Sequence, residues 1–247
     1  MQHQVLDTFA DAYQTHFRFN DDNLLMLNWY ARRIVRALRG RPDIRILSLG
    51  IGHRVVAKTI PKELGSSLAR YTVIEGSSEI ISAFRSETDI LPNVEIIQSL
   101  FEDFSPVQKF DAIEMGFVLE HVDDPIAIVR QYSEFINPDG RVFIAVPNAR
   151  SLHRLIGHEA GFLDNLHRLS AEDLELGHQR YFDQNSLCQL VLAAGLKIVK
   201  VEGILLKPFT SAQLKSLRLS PEVVQALLKV GVDFPDACNA VFVEAAR

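Results

Sequence analysis

Arg45-Ile46-Leu47-Ser48-Leu49-Gly50-Ile51-Gly52-His53 is a short apolar run that ends in two glycines one residue apart. Helix-compatible sequence, Val55 to Ile60, follows directly. The pattern predicts a buried strand, a tight turn and the start of a helix. Glycine at Gly50 and Gly52 lets the backbone approach a ligand with no Cβ in the way. A strand-Gly-x-Gly-helix turn also serves plain packing, so the neighbouring segments have to choose between the two readings.

Four more apolar runs follow. Tyr71-Thr72-Val73-Ile74 ends in Glu75 and Gly76. Glu75 stands about twenty residues past the glycines, where a carboxylate can accept from both hydroxyls of a ribose. A solvated acid at a strand end is the alternative. Val94-Glu95-Ile96-Ile97 leads to Ser99-Leu100-Phe101-Glu102-Asp103. Phe110-Asp111-Ala112-Ile113-Glu114-Met115 leads to Gly116-Phe117-Val118-Leu119-Glu120-His121. Gly140 to Pro147 follows a polar turn expected at Asn137-Pro138-Asp139. Strands alternating with helical segments predict a parallel sheet covered on both faces. Right-handed crossovers then bring the loops after these strands to one edge, where open α/β sheets bind ligands. Gly50, Gly52, Glu75, Gly76, Leu100, Phe101, Met115 and Gly116 converge there in this reading. Leu100 and Phe101 offer an apolar slot, or are ordinary core.

In this order the segments resemble the class I S-adenosylmethionine-dependent methyltransferases. Leu49-Gly50-Ile51-Gly52 is similar to the family's glycine-rich loop, Glu75 to its ribose acid and Ser99 to Glu102 to its adenine-side loop. Phe110-Asp111-Ala112-Ile113, Leu119-Glu120-His121-Val122-Asp123-Asp124-Pro125 and Asn137-Pro138-Asp139-Gly140-Arg141 carry the most distinctive likeness. The likeness is close over residues 40 to 150. It continues loosely through Gly177-His178-Gln179-Arg180-Tyr181-Phe182 to Ala194-Gly195-Leu196, as in small-molecule enzymes of the ubiquinone-biosynthesis type. Three positions depart: Ser48 stands where the family usually has an acid, Arg54 where it has a third glycine, and Ser99 where it often has an aspartate.

The resemblance implies an α/β, Rossmann-like, doubly wound and mostly parallel seven-stranded sheet, its last strand antiparallel. It implies one methyltransferase domain over 1–247. Residues 1–40 form an N-terminal helical cap and 43–147 the cofactor-binding core. Residues 148–182 form a helix-rich insertion between strands five and six that covers substrate, and 183–247 complete the sheet. It also implies S-adenosylmethionine as cofactor. Tyr13, His16 and Phe17 become candidates to touch its methionine end or the substrate; the i, i+4 spacing of Tyr13 and Phe17 equally suits a core pair.

The chain has 247 residues, 47% hydrophobic and 23% charged, with a net charge of −5. That balance suits an ordinary globular chain with a sizeable core. No overall basic field draws it to nucleic acid or to an anionic membrane. Cys188 and Cys238 make neither a disulfide framework nor a metal-ligand spacing, which fits a reducing cytoplasm. No run is long enough to insert in a membrane, and the first residues lack a signal peptide's regions.

Asn20-Asp21-Asp22-Asn23 could cap the helix marked by Leu24, Leu27, Ala31, Ile34, Val35 and Leu38. Asp123-Asp124-Pro125 reads as another helix start. Beyond Pro147 the strand signal stops. The insertion carries His153, His158 and His167, with His178 just after it, among Arg150, Arg154, Arg168 and Arg180. Basic and titratable groups there would suit an anionic small-molecule acceptor, or are scattered surface residues. No metal is expected, since His153 and His158 fall on different helix faces and the cysteines are remote. Lys197 to Val201 is the expected sixth strand, Ser220-Pro221 starts a helix and Asn239 to Ala245 closes the sheet.

A hydroxyl acceptor needs its proton removed. His178 is the candidate base because imidazole titrates near neutral pH. His121 is a reserve or orients its loop, and His153 and Arg180 are candidates to bind the acceptor. Two readings stand side by side: methyl transfer to a hydroxyl or carboxylate oxygen of an anionic metabolite, or a catalytically altered domain that binds a nucleoside or a partner. An NAD-linked dehydrogenase fails on the incomplete G-x-G-x-x-G. The sheet edges and the insertion could mediate a homodimer.

Overall fold

The computed structural model describes Leu6, Asp7, residues 20–87 and residues 90–247. Tyr13, His16 and Phe17 lie outside the described residues. Among those described, seven strands form one sheet: β1 (Ile44–Leu49), β2 (Leu68–Glu75), β3 (Val94–Gln98), β4 (Phe110–Gly116), β5 (Ile136–Pro147), β6 (Lys197–Ile204) and β7 (Ala240–Ala246). Their order is β3-β2-β1-β4-β5-β7-β6. The first five pair in parallel, and β7 runs antiparallel between β5 and β6. The order reverses between β1 and β4, so the loops after those two strands face each other across the crevice where such sheets bind ligands.

Alternation along the strands divides the core in two. Ile44 and Ile46 point to one face with Tyr71, Val73, Ala112, Phe143 and Phe242. Leu47 and Leu49 point to the other with Ile74, Ile113, Met115, Val142 and Ile144. Helices cover both faces, which is why these strands read as continuous apolar runs. α1 (Asn20–Leu38) and α2 (Val55–Leu64) serve the first face together with α3 (Ser78–Arg85). α4 (Pro125–Ser133) and α7 (Gln184–Ala193) serve the second.

Local chemistry sets several boundaries. α1 begins at Asn20, so Asp21 and Asp22 lie inside its first turn rather than before it. Acids there complement the positive end of the helix dipole. Asp124 caps α4 by accepting from Ala127 N, with Pro125 in the first turn. The turn expected at Asn137-Pro138-Asp139 is instead the start of β5. Ile136 pairs with Phe110 and Arg141 with Ala112, so the residues between bulge out without ending the strand. A bulge carries turn-like residues inside a ladder.

The helix-rich insertion holds α5 (Leu152–Glu159) and α6 (Ala171–Glu175). Its two ends meet where Ala149 N donates to Phe182 O at 2.7 Å. α8 (Ser211–Leu217) and α9 (Pro221–Gly231) connect β6 to β7. No helix among the described residues is long and apolar enough to cross a membrane.

Candidate active site

Gly50 follows β1 with φ +80° and Gly52 with φ +49°, left-handed values that glycine adopts without strain. Arg54 takes the same region at φ +66°, which costs a side-chain-bearing residue on the order of 1 kcal/mol. Its side chain turns away from the loop and pairs with Glu87 at 2.7 Å. The third glycine is therefore replaced by a residue anchored on its outer side.

Glu75 is buried at the tip of β2. Its Oε2 accepts from Ile51 N at 3.0 Å and its Oε1 from Ser77 N at 2.8 Å. Burial raises its pKa, and these amide hydrogen bonds oppose the rise. Each oxygen keeps a further lone pair for a ligand hydroxyl. A Cβ on Gly50 would sit 3.9 Å from Phe101 Cζ, and one on Gly76 would sit 3.4 Å from Leu100 Cδ2 and 2.4 Å from Leu6 Cδ1. Gly50, Gly76, Glu75, Leu100 and Phe101 thus come together, with Leu6 packed over Gly76. Asp7 ties the same segment down by accepting from Ser77 Oγ at 2.6 Å.

Met115 departs from its expected place. Its side chain is fully buried in the core beside Leu47 and Ile113, because alternation aims it away from the crevice. Glu114 points the other way and was not anticipated. Its Oε1 accepts from Ser48 Oγ and Tyr71 OH, and its Oε2 from Tyr30 OH at 3.0 Å and Gly116 N at 3.1 Å. The acid missing at Ser48 is thereby supplied by its partner in register on β4. Burial raises the Glu114 pKa against these four donors. Gly116 must be glycine, since a Cβ would come within 2.3 Å of Tyr30.

Beside the glycine loop lies a cavity of about 290 Å³. Met26, Leu27, Phe117 and Leu176 give it apolar walls, while His53, Glu120, His121, His153, His178 and Lys207 give it polar ones. His121 and His178 stand edge to face, ring centroids 4.8 Å apart. His178 Nδ1 lies 3.3 Å from Asp173 Oδ1. Burial, and after it the neighbouring His178, lowers the His121 pKa to about 3. Burial raises the Glu120 pKa to about 7. His153 is lowered to about 3 by burial, with Lys207 and Arg154 adding to the effect.

Arg180 does not face this cavity. Its guanidinium donates to the carbonyls of Leu119 (3.2 Å), Val122 and Asp123 (3.2 Å). The expectation that it binds an acceptor anion is corrected accordingly: its donors hold the loop that carries Glu120 and His121. Lys207 is the cation that sequence reading missed. It is buried, lines the cavity and bonds Asp22 Oδ2 and Ser211 Oγ, each at 3.0 Å. His158 bonds Leu163 O and His167 lies near Asp183, and neither lines the cavity.

The mostly parallel sheet brings the glycine turn, the buried Glu75 and the chamber to one edge, the crevice where such sheets bind ligands. The methyltransferase domain family matches residues 23–201, and the chain belongs to it. It is an S-adenosylmethionine-dependent methyltransferase. A similar protein is the ubiquinone biosynthesis O-methyltransferase of Pseudomonas fluorescens, 24% identical over 209 residues, which cover 83% of this chain and 82% of that one. An S-adenosylmethionine-dependent methyltransferase from Mesorhizobium loti shares the fold with a TM-score of 0.60 at 15% identity, over 88% of this chain and 98% of that one. The plantazolicin methyltransferase, solved in complex with S-adenosylhomocysteine, does so at 0.58 and 15%, over 100% and 96%.

Proposed function

We propose that this enzyme methylates a hydroxyl oxygen of a small molecule that also carries an anionic group. The observation that carries the reading is the chamber beside the glycine loop, with imidazoles on one wall and Lys207 on another. S-adenosylmethionine supplies an electrophilic sulfonium methyl. Glu75 is suited to its ribose, Leu100 and Phe101 to its adenine, and the Gly50–Gly52 and Gly116 turns to close backbone approach. The protein's task is then to align a nucleophile and exclude water. His53 and Phe117 border the chamber beside those turns, which puts an acceptor within reach of them.

A hydroxyl suits the wall formed by Glu120, His121 and His178 better than a carboxylate does. An acceptor carboxylate there would be repelled by Glu120 and Asp173. His178, oriented by Asp173, is our candidate to take the hydroxyl proton, with His121 as a neutral neighbour. Lys207 is our candidate for the anionic group, as a compact charge that can exchange its bond to Ser211 for one to a ligand. The likeness to the Pseudomonas fluorescens ubiquinone biosynthesis O-methyltransferase supports oxygen as the target.

Calorimetric titration with S-adenosylmethionine, S-adenosylhomocysteine and NAD tests the cofactor side. Micromolar binding of the two sulfur nucleosides alone is expected, weakened roughly tenfold or more in Glu75→Gln and Glu75→Ala. A methylation screen of hydroxyaryl acids against their neutral amides tests the acceptor side. Lys207→Met should raise KM for the acids about tenfold and leave the amides unchanged. Turnover of acids whose only nucleophile is the carboxylate would sink the hydroxyl assignment.

A further inference from the structure

The wall of the chamber holds a carboxylate that finds no hydrogen-bond donor among the described residues. Glu120 is fully buried, and among the described residues neither of its side-chain oxygens accepts a hydrogen bond. An ionised carboxylate taken out of water costs several kcal/mol unless something compensates it. A neutral carboxylic acid would fare little better, because its O–H and C=O also need partners. The guanidinium of Arg180 is occupied by the carbonyls of Leu119, Val122 and Asp123.

Two imidazoles complete the picture. One ligand atom each from Glu120, His121 and His178 lie within 4.8 Å of one another. Donors about 2.1 Å from a shared cation stand roughly 3.4 Å apart, so small rotamer changes would close the set. His178 Nδ1 faces Asp173 Oδ1 at 3.3 Å, which leaves Nε2 as the ring's ligand atom. Asp173 is itself held by Ser170 N at 2.7 Å and Tyr181 OH at 3.1 Å. A fixed carboxylate behind an imidazole is the usual outer support of a metal-binding histidine. The backbone is equally constrained: Gln179 N donates to Glu120 O at 2.8 Å and Gln179 Nε2 to His121 O at 2.7 Å. The two segments that carry the three side chains are thus joined before any ligand arrives.

We propose that Glu120, His121 and His178 bind one divalent transition-metal cation at the wall of the acceptor chamber. Two nitrogens and one carboxylate favour zinc, manganese, iron or cobalt over magnesium and calcium, which prefer all-oxygen sets. Three protein ligands leave positions open, and all three residues line the cavity, so those positions face the acceptor. The use of the cation rests on the methyl-transfer reading; its binding does not. A hydroxyl held there would be more acidic, and its proton would leave to bulk solvent before the methyl group is transferred. Its oxygen then forms the O–C bond as the C–S bond breaks and the sulfur keeps the electron pair. His121 and His178 serve as ligands in that case, and no separate base is needed.

The test uses the full chain freed of metal by a chelator. Cobalt(II) is the probe, because its visible absorption reports coordination by protein nitrogen. Saturable binding of one equivalent is expected, displaced by zinc and unaffected by equimolar magnesium. Glu120→Gln and His178→Asn should each weaken it at least tenfold with unchanged circular dichroism, and Asp173→Asn should weaken it by roughly 10-fold or more. No saturable band, or equal binding by Glu120→Gln and His178→Asn, would overturn the site. S-adenosylhomocysteine titrated into the same metal-free protein reports on the cofactor reading alone, so the two failures are told apart.

Discussion

Ser48 and Glu114 face each other across β1 and β4, and between them they join the two turns that frame the crevice. Glu114 accepts from Ser48 below the Gly50 turn and from Gly116 N at the other turn. A carboxylate only accepts, so it matches four donors without conflict. Glutamine at this position would set an N–H₂ against some of them. Glu114→Gln is therefore expected to lose about 2–3 kcal/mol of stability in denaturant melts and to weaken S-adenosylhomocysteine about tenfold. Tyr30→Phe removes one donor of the four, and it should lose only about 1 kcal/mol. Equal losses from the two substitutions would show that the carboxylate does not act as the hub. Ser48 reads as a departure in the sequence because the compensating acid is 66 residues away. Register, which sets Ser48 beside Glu114, is a property of the sheet and not of either segment alone.

The loop between β4 and α4 depends on an element far along the chain. Arg180 closes it with three carbonyl contacts, and Gln179 adds bonds to His121 O and Asp123 Oδ1. Arg180→Met should cost about 2–3 kcal/mol, since hydrogen bonds from a charged donor are lost and buried carbonyls are left bare. Amide hydrogen exchange should accelerate at residues 119–123, with S-adenosylhomocysteine affinity little changed, because Glu75 and the Gly50 turn are untouched. Unaltered exchange at that loop would count against the clamp. Strands β1, β2, β4 and β5 were legible because each holds a buried apolar run, and β3, half-buried at the sheet edge, because Val94, Ile96 and Ile97 are apolar and β-branched. The start of β5 was not, since Asn137, Pro138 and Asp139 have turn chemistry and only pairing with β4 shows the bulge. Gly50, Glu75, Leu100 and Phe101 were legible because one crossover rule sends them all to the same edge. Lys207, Asp173 and the buried state of Glu120 were not, because each is defined by side chains brought together from distant segments, as when Lys207 meets Asp22 across 185 residues.

Taken as a whole, the molecule places its charge unevenly for a chain of net −5. The chamber collects His53, His121, His153 and His178 with the cations Lys207 and Arg154 and the acids Asp22, Glu120, Glu172 and Asp173, and this sets how stability follows pH. His153 has its pKa lowered to about 3, first by burial and then by Lys207 and Arg154, with Asp22 partly opposing. Its unfolded value is near 6.5. Above pH 6.5 neither state binds the proton, and the stability associated with the neutral ring is fully present. As pH falls from 6.5 towards 3, the unfolded chain takes up a proton that the folded chain refuses, and stability is lost. Glu75 and Glu114 act in the opposite sense: their raised values favour the fold at low pH and weaken it as pH climbs through them. Comparing the parent protein with His153→Asn cancels those carboxylates, because both chains keep them. Between pH 7.5 and pH 4.5 the parent should lose about 1–2 kcal/mol more than the variant in urea unfolding. Parallel curves for the two proteins would mean that His153 is protonated in the folded state, and that the chamber is wetter and more anion-ready than its buried histidines imply.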